Sequence, residues 1–162
     1  MTPPFREIFE TLRAQVFALC LHITRSRLEA EDALQETFLA VHQSIHLFRG
    51  ESKLSTWVYR IAVRASLATR AKRRNHASLD EARNVSTGHA SPEEAAHTQK
   101  EFGKLRAAFD QLSAEHQVVL SLFAIEGLHH AEIADILGVP AGTVWSRLHL
   151  ARKRLGALTE SG

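Results

Sequence analysis

One cysteine, Cys20, stands in 162 residues, so no disulfide can staple the chain, and the composition fits a reducing compartment. No apolar run approaches the roughly 20 residues that a helix needs to cross a bilayer. The opening MTPPFREIFE has no apolar core of the signal-peptide kind. The cytoplasm is the expected location, with no membrane insertion. Alternating β-branched runs and hairpin turns are missing too, so strands are not expected. Phosphate-binding Gly loops, nucleophile elbows and paired acid–base residues are also absent, which argues against an enzyme and against a cofactor. Acidic residues are missing from two stretches, Ser52 to Leu79 and Val139 to Leu158, although the formal net charge is only +2. The distribution of charge is therefore more informative than its sum.

What is present is helical periodicity. From Leu112 onward, Ser113 can cap a helix bearing Val118, Val119, Leu122, Phe123 and Ile125, which Gly127 stops. A short second helix, His130–Leu137, holds Ile133, Ala134 and Ile136 and closes at Gly138. Pro140 suits the first turn of a third helix. Val144, Leu148, Ala151 and Leu155 give that helix one apolar face, opposed by Thr143, Ser146, Arg147, His149, Lys153 and Arg154. Two helices around a Gly-containing turn, the second basic and amphipathic, make a helix-turn-helix pattern, which places the second helix in a DNA major groove. Arg152, Lys153 and Arg154 suit phosphates. The competing reading is a three-helix packing unit with a merely solvated basic face.

The N-terminal half has the same period. Phe5, Ile8, Phe9, Leu12, Val16, Leu19 and Ile23 predict one helix, and Ala33, Leu34, Phe38, Val41 and Ile45 predict another over Leu28–Phe48. After the break FRGESKLST, Ser55 or Thr56 can cap a helix over Trp57–Arg73 that buries Val58, Ile61, Ala62, Ala65 and Ala68. The acid-free stretch here carries Lys53, Arg60, Arg64, Arg70, Lys72, Arg73 and Arg74. Trp57 and Tyr59 stand at its start, and aromatics beside a basic stripe suit unstacked single-stranded bases. Trp57 can equally be a core residue, or serve both roles.

Asn75 to about Gln99 is polar and reads as a linker. A further helix starting near Ser91 carries Phe102, Leu105, Phe109 and Leu112 toward the C-terminal half. The expected fold is all-α, with two small helical domains, 1–74 and 94–162, joined by a flexible linker, 75–93. Ten histidines raise a metal hypothesis: His42 and His46 lie four apart, with Cys20 and His22 on the neighbouring helix. No metal-binding motif accompanies them, so surface or partner-facing histidines are the preferred reading and no metal is expected. Glu126–His129 is an ExxH pair, but it sits at a helix end beside Gly127.

Two long runs carry a family resemblance. EGLHHAEIADILGVPAGTVWSRLHLARKRL resembles the C-terminal, −35-reading domain of extracytoplasmic-function (ECF) sigma factors of bacterial RNA polymerase. EAEDALQETFLAVHQSIHLFRGESKLSTWVYRIAVRASLATRAKRR is similar to the N-terminal domain of the same family. The resemblance implies that Asp32, Gln35, Glu36 and Phe38 dock on the β′ clamp helices of the core polymerase, with a second contact at the β flap. It implies that Arg49, Lys53, Ser55, Thr56, Trp57, Arg60 and Arg64 read and melt the −10 element. It also implies that Thr143, Trp145, Ser146, Arg147, His149, Arg152 and Lys153 face the −35 element of promoter DNA. An anti-sigma factor is a further implied partner. The chain departs from the family at Trp145, where a basic residue is usual, at Leu150, where arginine is usual, and at His129, where serine caps better. Arg147 can read guanine or pair with an acid such as Glu132. Trp145 can meet a thymine methyl or help cover the domain core. The alternative function is a free-standing dimeric helix-turn-helix regulator.

Overall fold

The computed structural model describes residues 2–76 and 95–160. Helices α1 (Phe5–Thr24), α2 (Arg27–Ser44) and α3 (Leu54–His76) form the N-terminal unit. Helices α4 (Ala95–Asp110), α5 (Ala114–Leu120), α6 (His130–Leu137) and α7 (Ala141–Glu160) form the C-terminal one. No strand occurs among the described residues. The fold is all-α, two helical domains, and the predicted linker falls mostly on residues 77–94, outside the described residues.

Helix ends follow local chemistry. The α1–α2 corner turns on Arg25, which is left-handed at φ 60, a conformation that costs a non-glycine residue of order 1 kcal/mol. Its side chain supplies compensation: Nε donates to Asp110 Oδ1 at 2.7 Å and the guanidinium lies over the Phe109 ring at 4.9 Å. Ser26 then caps α2 by accepting the Glu29 N–H. Ser113 caps α5, and Gly138 ends α6 in the left-handed conformation, both as expected. A π-helical turn, Ser121–Ile125, continues α5, and Gly127 with φ 65 follows it. Two expectations fail here. Neither Ser55 nor Thr56 caps α3, because Lys53 O accepts the Trp57 N–H at 3.1 Å and the helix starts at Leu54. Ala68 is exposed; the inward stripe of α3 runs Val58, Ala62, Ser66, Arg70 in steps of four.

The two units share a continuous apolar core. Ile8, Val16, Leu19 and Ile23 of α1 join Val41, Val58 and Ala62, while Val118, Val119, Leu122, Ile133, Val144 and Leu148 belong to the same cluster. Helix α1 meets α5 and the π turn, and α3 meets α6. Phe102 and Leu105 of α4 do not take part as expected: both are exposed, whereas Ala108, Phe109 and Leu112 pack inward. Cys20 is buried in the core and desolvation raises its thiol pKa, so it is a packing residue and a poor nucleophile.

Candidate nucleic-acid interface

Two surfaces gather the predicted binding residues. At the first, the turn before α3 and the N-terminal part of α3 enclose an open cleft of about 320 Å³, lined by Leu47, Phe48, Arg49, Glu51, Ser52, Trp57 and Arg60, with Asp135 of α6 closing one side. Trp57 is half-buried and packs on Phe48, ring centres 5.5 Å apart, while still lining the cleft. Arg49, Lys53 and Arg64 are exposed and Ser55 is half-buried. Thr56 is buried, with 3% of its surface accessible, so its hydroxyl does not reach this surface.

Helix α6 reaches across to this surface. Lys53 Nζ donates to Glu132 Oε1 at 3.2 Å, and Arg60 Nη2 donates to the Asp135 carbonyl at 2.7 Å. Beneath them the Tyr59 hydroxyl donates to Glu126 Oε2 at 3.1 Å. Burial raises the pKa of both groups; the neighbouring Glu126 charge raises Tyr59 further, and the Tyr59 hydrogen bond partly offsets the rise at Glu126. Deeper still, Arg70 bonds Gln117 and donates to the Ile23 carbonyl at 3.2 Å, while Gln117 Nε2 donates to the Phe109 carbonyl at 2.7 Å. Burial lowers the Arg70 pKa, and Arg74, Arg73 and Arg25 lower it further. This seam between the units is absent from the sequence reading. One signal for it was available: Arg70 falls on the apolar stripe of α3, where a charge requires a partner.

The second surface is α7. Val144, Leu148 and Ala151 are buried against the domain, while Ser146, His149, Arg152 and Lys153 are exposed and Thr143 is half-buried. Arg147 pairs with an acid, but with Glu115 at 3.6 Å and not with Glu132, which serves Lys53. Trp145 is 62% exposed and does not cover the core. It stacks on His130 with ring centres 3.9 Å apart and planes 14° off parallel. The turn at Gly138 and the basic surface of α7 are those of a helix-turn-helix whose second helix is open to a groove.

Residues Asp32, Gln35 and Glu36 line a third, shallow cleft with Leu39, Thr69 and Lys72. Phe38 does not join them. It is buried, meeting Phe9 edge-on at 4.9 Å, because its position on α2 faces α1. Leu39, 59% exposed, takes the outward apolar place beside the acids.

Comparison with known proteins agrees with this arrangement. The family model for sigma-70 region 2 matches residues 8–76, and the model for sigma-70 region 4 matches residues 102–155. The chain is 32% identical over 156 residues to the ECF RNA polymerase sigma factor SigM of Mycobacterium tuberculosis, covering 95% of this chain and 76% of that one. This chain belongs to the ECF sigma-factor family. It is also 31% identical to the ECF RNA polymerase sigma factor SigE of Mycolicibacterium smegmatis, across 94% of this chain but only 60% of that longer relative. In fold, this ECF family member is similar to the sigma factor RpoE solved with the anti-sigma factor NepR from Bartonella quintana, with TM-score 0.77, 22% identity and 96% of each chain covered. It is similar too to CnrH solved with the cytosolic domain of CnrY, with TM-score 0.73, 18% identity, and 97% and 88% of the two chains covered.

No helix among the described residues is long and apolar enough to cross a membrane. No group of three or more His, Cys, Asp or Glu among them could hold a metal ion. His42 packs edge-on against Phe5, and His22 bonds the Ala18 carbonyl.

Proposed function

We propose that this chain is a dissociable sigma subunit: it binds core RNA polymerase, recognises two promoter elements and helps open the DNA between them, with no catalysis of its own. The observation that carries this reading is the pairing, on one chain, of an open basic recognition helix with a cleft where Trp57 stands beside Arg49 and Arg60, a combination suited to a single strand. A duplex-reading helix alone serves any regulator; a strand-holding cleft beside it serves promoter opening, where stacking and backbone contacts offset the loss of base pairing.

The parts divide accordingly, into residues 1–74 for core docking and the −10 element, 75–93 as linker, and 94–162 for the −35 element. Asp32, Gln35 and Glu36, with Leu39 as the exposed apolar contact, face the β′ clamp helices, and Phe38 supports them from inside. Arg49, Lys53, Trp57, Arg60 and Arg64 hold the melted strand, with Ser55 at the rim. Thr143, Trp145, Ser146, Arg147, His149, Arg152 and Lys153 face the −35 duplex, and the C-terminal unit also meets the β flap. The site of action is the cytoplasm. An anti-sigma factor is the expected inhibitor; both structural relatives were solved with partners, one of them named as an anti-sigma factor.

Run-off transcription with core bacterial polymerase and fragmented host DNA tests the reading. Transcripts that require the protein and share two upstream elements are expected. No transcripts, together with tight binding of the protein alone to a palindromic duplex, would establish a free-standing dimeric regulator instead. Trp57→Ala should impair opening more than binding to closed duplex; equal loss at both steps would place Trp57 in folding only.

A further inference from the structure

We infer that His130 and Trp145 form a preorganised aromatic platform that reads thymine methyl groups in the upstream promoter element, Trp145 making the contact and His130 positioning it. The inference rests on the reading of α7 as the duplex-facing helix and names what one part of it recognises.

Trp145 is the fifth residue of α7, in the first two turns that enter a groove in helix-turn-helix docking. Its exposure is anomalous for so large an apolar ring: Val144, Leu148 and Ala151 close the core without it. Yet the indole is not loose. His130, the first residue of α6, covers one face in a near-parallel stack at 3.9 Å. His130 in turn meets the Phe123 ring at 5.4 Å, and Arg152 lies over that ring at 4.6 Å. Four side chains from three segments thus form one continuous array. A side chain ordered before binding loses little rotamer freedom on binding.

The array also decides what can be read. Indole offers a single N–H donor and no acceptor, so it cannot make the bidentate pairs that arginine makes with guanine or asparagine with adenine. Its remaining surface is apolar, and the apolar feature of the major groove is the C5-methyl of thymine. Arg152, held over Phe123 and seven residues beyond Trp145, lies on the same side of α7 and suits the adjoining phosphate.

The test uses holoenzyme reconstituted from the full chain and core bacterial polymerase. Promoter duplexes are first selected from a random pool, and each thymine of the upstream element is then replaced by uracil, which deletes the methyl alone. Loss of affinity by about fourfold, the worth of one buried methyl-sized group, is expected at one or two positions. Trp145→Ala should abolish that discrimination while still binding core polymerase. His130→Ala should reduce it and His130→Phe, which keeps a stacking ring, should restore it. Trp145→Arg should move the preference at that position from thymine toward guanine. Wild-type indifference to every uracil substitution would overturn the platform while leaving the sigma reading intact. Discrimination unchanged in His130→Ala would remove His130 from it. A pool that never enriches would overturn the sigma reading itself.

Discussion

Helices α3 and α7 are both basic and free of acids except for Glu160 at the end of α7, yet their cations are spent differently. On α3 and the residue before it, Lys53 pairs with Glu132, Arg60 with the Asp135 carbonyl, Arg70 with Gln117 and the Ile23 carbonyl, and Arg73 with Glu29 at 3.4 Å. On α7, Arg147 leans on Glu115, whereas Lys153 and Arg154 stay at the surface. An acid-free segment is therefore not the same thing as an unpaired one. Of the five partners on the α3 side, Glu132, Asp135 and Gln117 come from the other half of the chain, Glu29 from α2 and Ile23 from α1, all beyond any local window. The α3 surface is engaged within the molecule, and the α7 surface faces outward.

Breaking the deepest α3 contact should have the largest effect. Arg70→Ala leaves Gln117 and the Ile23 carbonyl without their donor inside the seam, and about 3 kcal/mol of stability should be lost in chemical denaturation. Stability within 0.5 kcal/mol of wild type, at order-of-magnitude precision, would show that the seam contributes little. Tyr59→Phe comes next, at roughly 1–2 kcal/mol, because Glu126 then keeps its half-buried carboxylate without the hydroxyl donor.

Glu126 also gives the comparison a pH axis. Its pKa is raised in the folded protein, chiefly by burial. Between the unfolded and folded values the folded state holds more protons, so this group lowers stability as pH rises through that window. Glu126→Gln removes the term while preserving an acceptor for Tyr59. The stability of this variant relative to wild type should therefore climb from about pH 4.3 upward and level off above the folded pKa. A flat difference across the titration would mean that Glu126 ionises as it does in the unfolded chain.

The smallest effect belongs to the rim. Lys53 and Glu132, largely open to solvent at the lysine end, should show a coupling of about 0.2–1 kcal/mol in a double-mutant cycle, fading with salt. Coupling that salt leaves unchanged would mean the pair is better shielded than its exposure indicates.

Periodicity made most of the helices legible, and glycine and serine chemistry made several of their ends legible: α6 runs from His130 to Leu137 as its apolar spacing requires. Boundaries drifted where backbone atoms did the capping, as Lys53 does for α3. The helix-turn-helix and the Trp57 cleft were readable because their residues are close in sequence. Periodicity put Phe38 on the apolar face of α2, where it is buried, whereas the resemblance counted it among the docking residues, since a family motif does not say which of its positions face inward. The Arg70–Gln117 and Tyr59–Glu126 pairs span 47 and 67 residues, and local spacing carries no trace of such partners. The His130–Trp145 stack was hidden for the same reason, since it joins two helices across the turn.

With Lys53 and Arg60 holding the melted strand as proposed, the reach of α6 over them would make the molecule its own competitor. If only the open fraction can hold a melted strand, the affinity for promoter DNA is scaled down by that fraction, whatever the promoter sequence. Substitutions in the seam would then raise or lower output at all promoters in parallel, leaving their ranking intact, whereas substitutions on α7 would reorder them. Strength and choice of promoter would be set by different residues of the same small chain.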